Sequence, residues 1–473
     1  MSVPLSSPFG RRSINPLADP RAQPSDPGIT DEGEAVASIR AFLFDAVASF
    51  PCQPTPTFSL HPGRPRELAD LHLWLAVLLA TTTSTLSQIE VQRQLADPVR
   101  WSEYPRQLSD AGILKRLSLA GSTVLEDLFT HVLVTLTNRL APLFAARPCD
   151  LAPFASDIVA IDQTTFDSVA RRLPNQRGLS RGDHRLLPGK MNTVFDIRCQ
   201  LWRSIVRVDN VHQNEKATVR ELLDGLAPKS LIVSDLGYFS FPWFDELTER
   251  DHFWVSRLRL KTSFEVVHVN YEDGETLDAL IHLGAHRADR AQHVVRLVQF
   301  RQGSVLRQYL TNVLSPMQFS MLAITRVYAR RWDIEMAFDL VKTKLKLKVL
   351  WSSKPNVVWY QVWAVLIVSQ ILSALRWEIA LAANVDLEEV SMPLLVRYAP
   401  QFAAERRNIV SWFVEKGKQL GLIRKSRRIK AVAPDIPLEA YRPVPQDLPL
   451  IRKPRQSNGK RNTKRQVRAP ALC

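Results

Sequence analysis

Four side chains between residues 328 and 342 have types and spacing suited to phosphate chemistry. Tyr328, Arg331, Glu335 and Lys342 follow one another at offsets of three, seven and fourteen from the first. At about 100° per residue along an α-helix these offsets fall at roughly 300°, 340° and 320°, so one narrow stripe carries a phenol, a guanidinium, a carboxylate and an ammonium. Such a stripe is too polar for a core face. Its carboxylate suits a divalent cation and its flanking cations suit phosphate oxygens. The ordinary alternative, a solvated helix face laced with charge pairs, is not excluded by the stripe alone.

Two further carboxylates end apolar runs. Ile158-Val159-Ala160-Ile161 stops at Asp162, and Leu231-Ile232-Val233 stops, after Ser234, at Asp235. Short continuous apolar runs read as buried strands, and a charge at the end of one usually has a partner. Taken singly, either Asp could simply cap a turn. Taken with Glu335, they are three hard oxygen ligands for a pair of divalent cations, the set used in two-metal phosphoryl transfer, which needs no protein nucleophile. Mg2+ is the expected ion, with Mn2+ as a substitute.

The elements that must position these groups are legible from pattern. Residues 1–60 form a lead-in, disordered from Met1 to Thr30 and helical over Glu34–Ser49, followed by a Pro-rich break from Pro51 to Pro65. Helical periodicity then recurs over Leu68–Thr82, Thr85–Leu95, Asp110–Leu119 and Val124–Leu140. Short helices joined by polar turns suit a DNA-binding unit and equally an ordinary bundle. Past Asp157 the texture becomes mostly β. Met191–Ile197 and Ser204–Val208 read as a hairpin, Glu215–Leu226 as a helix, and Phe253–Leu258, Val294–Phe300 and Arg307–Val313 as strands. Ser315-Pro316 reads as an N-cap and first helical residue, opening a helical region through Lys348. The apolar stretch Val357–Leu375, interrupted by Gln361, Ser369 and Gln370, reads as a buried core helix before a transmembrane one.

Composition sets the partners. Of 473 residues 45% are hydrophobic, enough for a large core in two to four units. The 62 Lys and Arg against 47 Asp and Glu give a formal net charge of +15, which favours a polyanion, nucleic acid before an anionic membrane. No amphipathic basic helix with bulky apolar residues opposite supports the membrane. Cys52, Cys149, Cys199 and Cys473 are scattered without a C-x-x-C pair, so neither zinc nor a disulfide framework is expected, and a reducing cytoplasm fits. The N-terminus lacks the apolar run of a secretory signal. Arg452–Arg468 holds eight Lys and Arg and no acid, as in a flexible arm on phosphates or a merely solvated terminus. His184 and His212 lie in polar segments and read as ordinary histidines.

The order strand-Asp162, hairpin, helix, strand-Asp235, β-rich block, helix-Glu335 resembles the ribonuclease-H-like catalytic domain of DDE transposases. The spacing Y-x2-R-x3-E-x6-K from Tyr328 to Lys342 matches, without a gap, the signature of the insertion sequence four (IS-four) family. Asp162-Gln-Thr-Thr resembles its first Asp segment and Asp235-Leu-Gly-Tyr238 its second, where Leu236 replaces the usual Arg. The resemblance implies an α/β fold: a ribonuclease-H-like core in two parts, 151–260 and 315–400, around a β-rich insertion at 261–314. An all-α, DNA-binding region at 61–150 would precede it, and a C-terminal helix and basic tail at 401–473 would follow. It implies that Asp162, Asp235 and Glu335 bind two metal ions and are catalytic, and that Tyr328, Arg331 and Lys342 engage DNA phosphate. An aromatic from the insertion would hold a flipped base, with Trp254 the candidate and Trp243 and Trp332 the alternatives. The function implied is cut-and-paste DNA transposition: cleavage at transposon ends and strand transfer into target DNA, by a bacterial, cytoplasmic, nucleoid-associated enzyme. Its partners would be the terminal inverted repeats, the target DNA and a second copy of the chain. A nuclease of the same fold and a non-catalytic DNA-binding descendant are the alternatives.

Overall fold

Both apolar runs that lead to aspartate are neighbouring strands of one sheet. The computed structural model describes residues 49–50, 70–83, 87–96, 109–119, 123–146, 150–165, 177–180, 190–208, 215–284, 290–405, 408–426 and 432–448. The lead-in helix, the Pro-rich break, His184, His212, Cys52, Cys149, Cys473 and the basic run at Arg452–Arg468 lie outside these residues.

Strand β1 (Ile158–Thr165) pairs antiparallel with β2 (Lys190–Asp196), which pairs antiparallel with β3 (Leu201–Val208). On its other side β1 runs parallel to β4 (Leu231–Ser234), and β4 parallel to β5 (Phe253–Arg257). The next four strands, β6 (Phe264–Asp273), β7 (Thr276–Leu283), β8 (Val295–Gln302) and β9 (Val305–Thr311), form an antiparallel meander. Its last strand returns to pair with β5. The β-rich block therefore extends the sheet, which has nine strands in the order β3-β2-β1-β4-β5-β9-β8-β7-β6.

Alternation along β1 and β4 divides the molecule into layers. Ile158, Ala160, Leu231 and Val233 face one core, while Val159, Ile161 and Ile232 face another. The second core is covered by α5 (Glu215–Leu223) and α6 (Phe241–Glu249) through Leu222, Phe244 and Leu247. The first is covered by helices from both ends of the chain. From the N-terminal side come α1 (Asp70–Thr82), α2 (Ile89–Ala96), α3 (Asp110–Leu119) and α4 (Thr123–Ala146). From the C-terminal side come α7 (Met321–Ala329), α8 (Trp332–Asp339), α9 (Pro355–Ala382), α10 (Met392–Glu405) and α11 (Ile409–Lys416).

Helix α9 is the axis of this layer. It packs on α1, α3, α4, α10 and α11, and its side chains from Val357 to Leu372 are all buried. By composition it is long and apolar enough to cross a membrane, yet protein encloses it. Its polar interruptions are tied down: Gln361 Nε2 donates to Val349 O at 2.8 Å, and Ser369 Oγ accepts the Trp202 indole N–H at 3.2 Å. Leu73 to Ala80 of α1 are buried in the same hydrophobic cluster as the sheet face. The N-terminal helices and the strands that carry the aspartates thus share one core.

Candidate metal and phosphate site

Strand register brings the two aspartates level. Ile161 pairs with Ser234 in the parallel β1–β4 ladder, so Asp162 and Asp235 are the next residues on neighbouring strands. By alternation both lie on the face of Ala160 and Val233, the face that α7 and α8 cover. Asp162 is not the end of its strand, as the apolar run suggested. β1 continues to Thr165 because Asp162–Thr165 pair with Lys190–Thr193 of β2, while β4 stops at Ser234. The aspartate stands where β1 outruns its parallel partner. Asp235 caps the short turn Leu236–Tyr238, its Oδ1 accepting the Gly237 N–H at 2.8 Å. Both the capping reading and the level placement are therefore met in one residue.

The stripe is assembled differently from a single regular helix. The helix expected from Ser315-Pro316 begins instead at Met321, with Ser320 Oγ accepting the Ala323 N–H at 3.2 Å. The reason is tertiary: the buried Arg296 guanidinium of β8 donates through Nη1 to Phe319 O at 2.7 Å and to Ser315 O at 3.3 Å. The Phe319 carbonyl accepts this cation, and Ser315–Phe319 form a turn. Past Ala329 the α7 helix gives way to a tight step, where Arg331 N–H donates to Tyr328 O, three residues back, at 3.1 Å. Helix α8 follows, then a wide π-turn at Leu340–Lys344 in which Leu345 N–H reaches Leu340 O at 2.8 Å. Tyr328 thus sits on α7 over β5, Arg331 at the step, Glu335 on α8 over β1, and Lys342 in the π-turn. The four still converge. Arg331 Nη2 lies 2.8 Å from Glu335 Oε1, and Lys342 Nζ crosses to β1 to donate to Thr164 Oγ1, two residues past Asp162.

Electrostatics report the same convergence. The Asp162 carboxyl is pushed up to about 6, first by burial and then by the charges of Asp235 and Glu335, against the Gln163 backbone N–H and the Arg331 guanidinium, which lower it. Despite the cost of burial, Arg331 is raised by its hydrogen bond to Glu335 and by the charges of Tyr328, Glu335 and Asp162. Burial also raises the Tyr328 phenol. Three carboxylates and a guanidinium therefore share one field, with the acids in excess.

Among the described residues, no three His, Cys, Asp or Glu side chains close on a single point as they stand. The acids are each engaged locally. Asp162 Oδ1 accepts its neighbour's N–H at 2.7 Å, Asp235 Oδ1 accepts Gly237, and Glu335 pairs with Arg331. Yet Asp162 and Asp235 each keep a second oxygen without a partner among the described residues. Hard oxygen donors gathered where burial, and after it the charges of the other two acids, raises one of them are a donor set that a hard divalent cation fits. Neighbouring acids are spoken for. Asp333 is 3% exposed, paired with Arg330 Nε at 2.5 Å and accepting from Gln200 Nε2 at 2.9 Å. Asp339 faces Lys344 at 3.7 Å.

The expectation for Trp254 is overturned. It is 1% exposed, stacked on Phe244 at 4.1 Å, with its indole N–H donating to Thr248 Oγ1 at 3.1 Å. An aromatic in the middle of β5 points into the second core and cannot meet a base. Trp243 is likewise buried, whereas Trp332, beside Arg331 at the start of α8, is 54% exposed. Two cations not singled out in the sequence also border the site. Arg259 Nη2 donates to Leu236 O at 2.9 Å and its guanidinium lies 5.3 Å from the Phe239 ring centroid. Arg257 ends β5 opposite Tyr309. Only the alternation of β5 could have hinted at them, because their neighbours are remote in the chain.

Residues 153–371 match the family model described as Transposase DDE domain. A putative transposase of Sinorhizobium fredii, y4zB, is 23% identical over 237 residues, covering 49% of this chain and 63% of that relative. The transposase for insertion sequence element IS231F of Bacillus thuringiensis subsp. israelensis is 42% identical over 53 residues, 11% of each chain. The chain thus spans less than two thirds of the length of these relatives. A solved piggyBac transposase synaptic complex with hairpin DNA covers 84% of both chains at 11% identity, with a TM-score of 0.38, too low to bear on the reading.

Proposed function

We propose that this chain, a DDE transposase by its domain at 153–371, cuts the ends of its own mobile element and joins the freed 3′-hydroxyls to target DNA. The observation that carries the reading is the placement of Asp162 and Asp235 level on adjacent strands, under the helix that brings Glu335. The order β3-β2-β1-β4-β5 with two parallel pairs supports a ribonuclease-H-like core, and the gapless spacing from Tyr328 to Lys342 supports membership of the IS-four group.

Asp162, Asp235 and Glu335 would hold two Mg2+ ions, or Mn2+ in their place. Bound there, the ions supply activation of a water or 3′-hydroxyl nucleophile and stabilisation of the departing oxygen. The chain's own groups do the rest. Arg331 exchanges its contact with Glu335 for a phosphate oxygen as DNA enters, which frees that carboxylate for metal. Lys342, held over β1 by Thr164, and Tyr328, at the far side of the acids, fix the scissile phosphate between them. The exposed Trp332, not Trp254, is the aromatic placed to hold a displaced base. Arg259, reaching the Leu236 carbonyl from the end of β5, restores a cation at the position where the family pattern carries Arg. The N-terminal helices would read the terminal repeats, the chain acting as a homodimer on two ends in the bacterial cytoplasm.

The test is incubation of a labelled duplex bearing the element's terminal repeat with Mg2+, comparing the unaltered chain with Asp162→Ala, Asp235→Ala and Glu335→Ala. Cleavage followed by joining, lost in all three variants, is the expected result. Cleavage unchanged in the variants would sink the assignment. Cleavage without joining of a pre-cut end would leave a nuclease of the same fold.

A further inference from the structure

The sheet register carries the row of charged ends past the aspartates. Val233 pairs with Val255 in the parallel β4–β5 ladder, so two residues further Arg257 stands level with Asp235 and on the same face. In the antiparallel β5–β9 ladder Arg257 pairs with Tyr309, whose ring centroid lies 5.2 Å from that of Tyr328. Asp162, Asp235, Arg257 and Tyr309 therefore occupy one row across four adjacent strands, under α7 and α8. Arg257 is half-buried, and both tyrosines feel its charge. Among the described residues its guanidinium makes no ion pair and no hydrogen bond, not even with Asp235 one strand away.

A guanidinium withdrawn from water wants an anion, and it presents five donors in a planar fork that matches phosphate. The acids beside it are the ones proposed to take metal, so they are not its partners. Tyr328, Arg331 and Lys342 approach the acids from the helical layer. Arg257 approaches from the sheet.

We infer that Arg257 is a DNA-binding residue that grips a backbone phosphate adjacent to the scissile one, closing from the sheet side the clamp that Tyr328, Arg331 and Lys342 form from the helix side. This rests on the transposase reading. The contact is to phosphate, so it is blind to base sequence and is read through counterion release.

The experiment measures binding of a fluorescein-labelled terminal-repeat duplex, with Ca2+ replacing Mg2+ to prevent cutting, over a series of salt concentrations. Arg257→Gln should lower affinity roughly tenfold and reduce the slope of log K against log salt by about one, equally on a scrambled duplex. Arg257→Lys should keep the slope. A residue that merely packed against Tyr309 would leave the slope untouched, and a parental slope in Arg257→Gln overturns the inference. Arg257→Leu, which preserves the aliphatic stem against Tyr309, replaces Gln if circular dichroism shows that Gln perturbs folding. A parent that binds the duplex yet never cuts it in Mg2+ refutes the transposase reading, and the slope comparison still decides the role of Arg257.

Discussion

Removing the Arg296 side chain tests how the β-rich block is joined to the helices that bear the site. Arg296 and Asp278 are both fully buried, and they meet in a fork: Nε donates to Asp278 Oδ1 at 2.8 Å and Nη2 to Oδ2 at 2.6 Å. Asn270 Nδ2 adds a third bond to Asp278 at 2.8 Å, while Nη1 of Arg296 holds the Ser315–Phe319 turn. Arg296→Met strands the Asp278 charge with Asn270 alone, which should cost about 3–5 kcal/mol. The orphaned Phe319 carbonyl adds about 1–3 kcal/mol. In Arg296→Met with Asp278→Leu the stranded charge is gone, and a buried pair exchanged for apolar groups is often neutral. The double variant should therefore recover about 2 kcal/mol over the single one, retaining the loss at the turn and the cost of the buried Asn270 amide that Leu leaves without its acceptor. Urea denaturation followed by tryptophan fluorescence reads both values. A single variant within about 0.5 kcal/mol of the parent, or a double variant less stable than the single, would refute the reasoning, because it would mean that the buried pair is not what holds the turn.

Other outcomes follow from burial and partnership. Trp254→Ala should cost about 3–5 kcal/mol by urea denaturation, whereas Trp332→Ala should shift stability by less than about 0.5 kcal/mol. With 2-aminopurine at the cleaved end, Trp332→Ala should abolish the quenching of a displaced base, and persistent quenching would remove Trp332 from that role. Asp333→Asn should leave Mn2+ binding, followed by electron paramagnetic resonance, at the parental affinity, while Glu335→Gln weakens it by tenfold or more; the reverse pattern would exchange the two acids. Burial holds the His252 and His282 imidazoles below their ordinary range, so the unfolded chain binds their protons first. Their contribution to stability is full above about pH 6.5 and is lost as pH falls towards the folded values. His252→Gln should flatten the decline in urea midpoint between pH 7 and 5.5, and an unaltered decline would contradict this.

The aspartates were legible because a buried parallel strand writes itself as an uninterrupted apolar run, and Ile158–Ile161 and Leu231–Val233 are such runs. The order of elements was legible for the same reason. What local pattern could not express is partnership between distant segments. Ser315-Pro316 has the chemistry of a helix start, but Arg296 takes the carbonyls of that turn and moves the start to Ser320. The step at Arg330–Arg331 and the π-turn at Leu340–Lys344 follow from tertiary ties, among them Arg330 to Glu388 at 3.2 Å and Lys342 to Thr164. Trp254 misled because indole is both the best base platform and the best core filler, and only the facing Phe244 distinguishes them. Arg257 carries no motif at all. Its place depends on the register of β4, β5 and β9, which no single window of sequence contains.

The shared core of α1 and α9 has a consequence for synthesis. Leu73 to Ala80 pack partly on α2, which follows at once, and partly on α9, which ends at Ala382, 300 residues after Thr82, so part of their apolar surface waits for that helix. At about 5–20 residues per second, the ribosome leaves that surface uncovered for roughly 15–60 s. Throughout that interval the nascent N-terminal helices are a client for chaperones and a seed for aggregation. Truncated messages ending before α9 should yield insoluble protein, and the two ends of the chain cannot be separated into independently folding pieces without redesigning the surface between them.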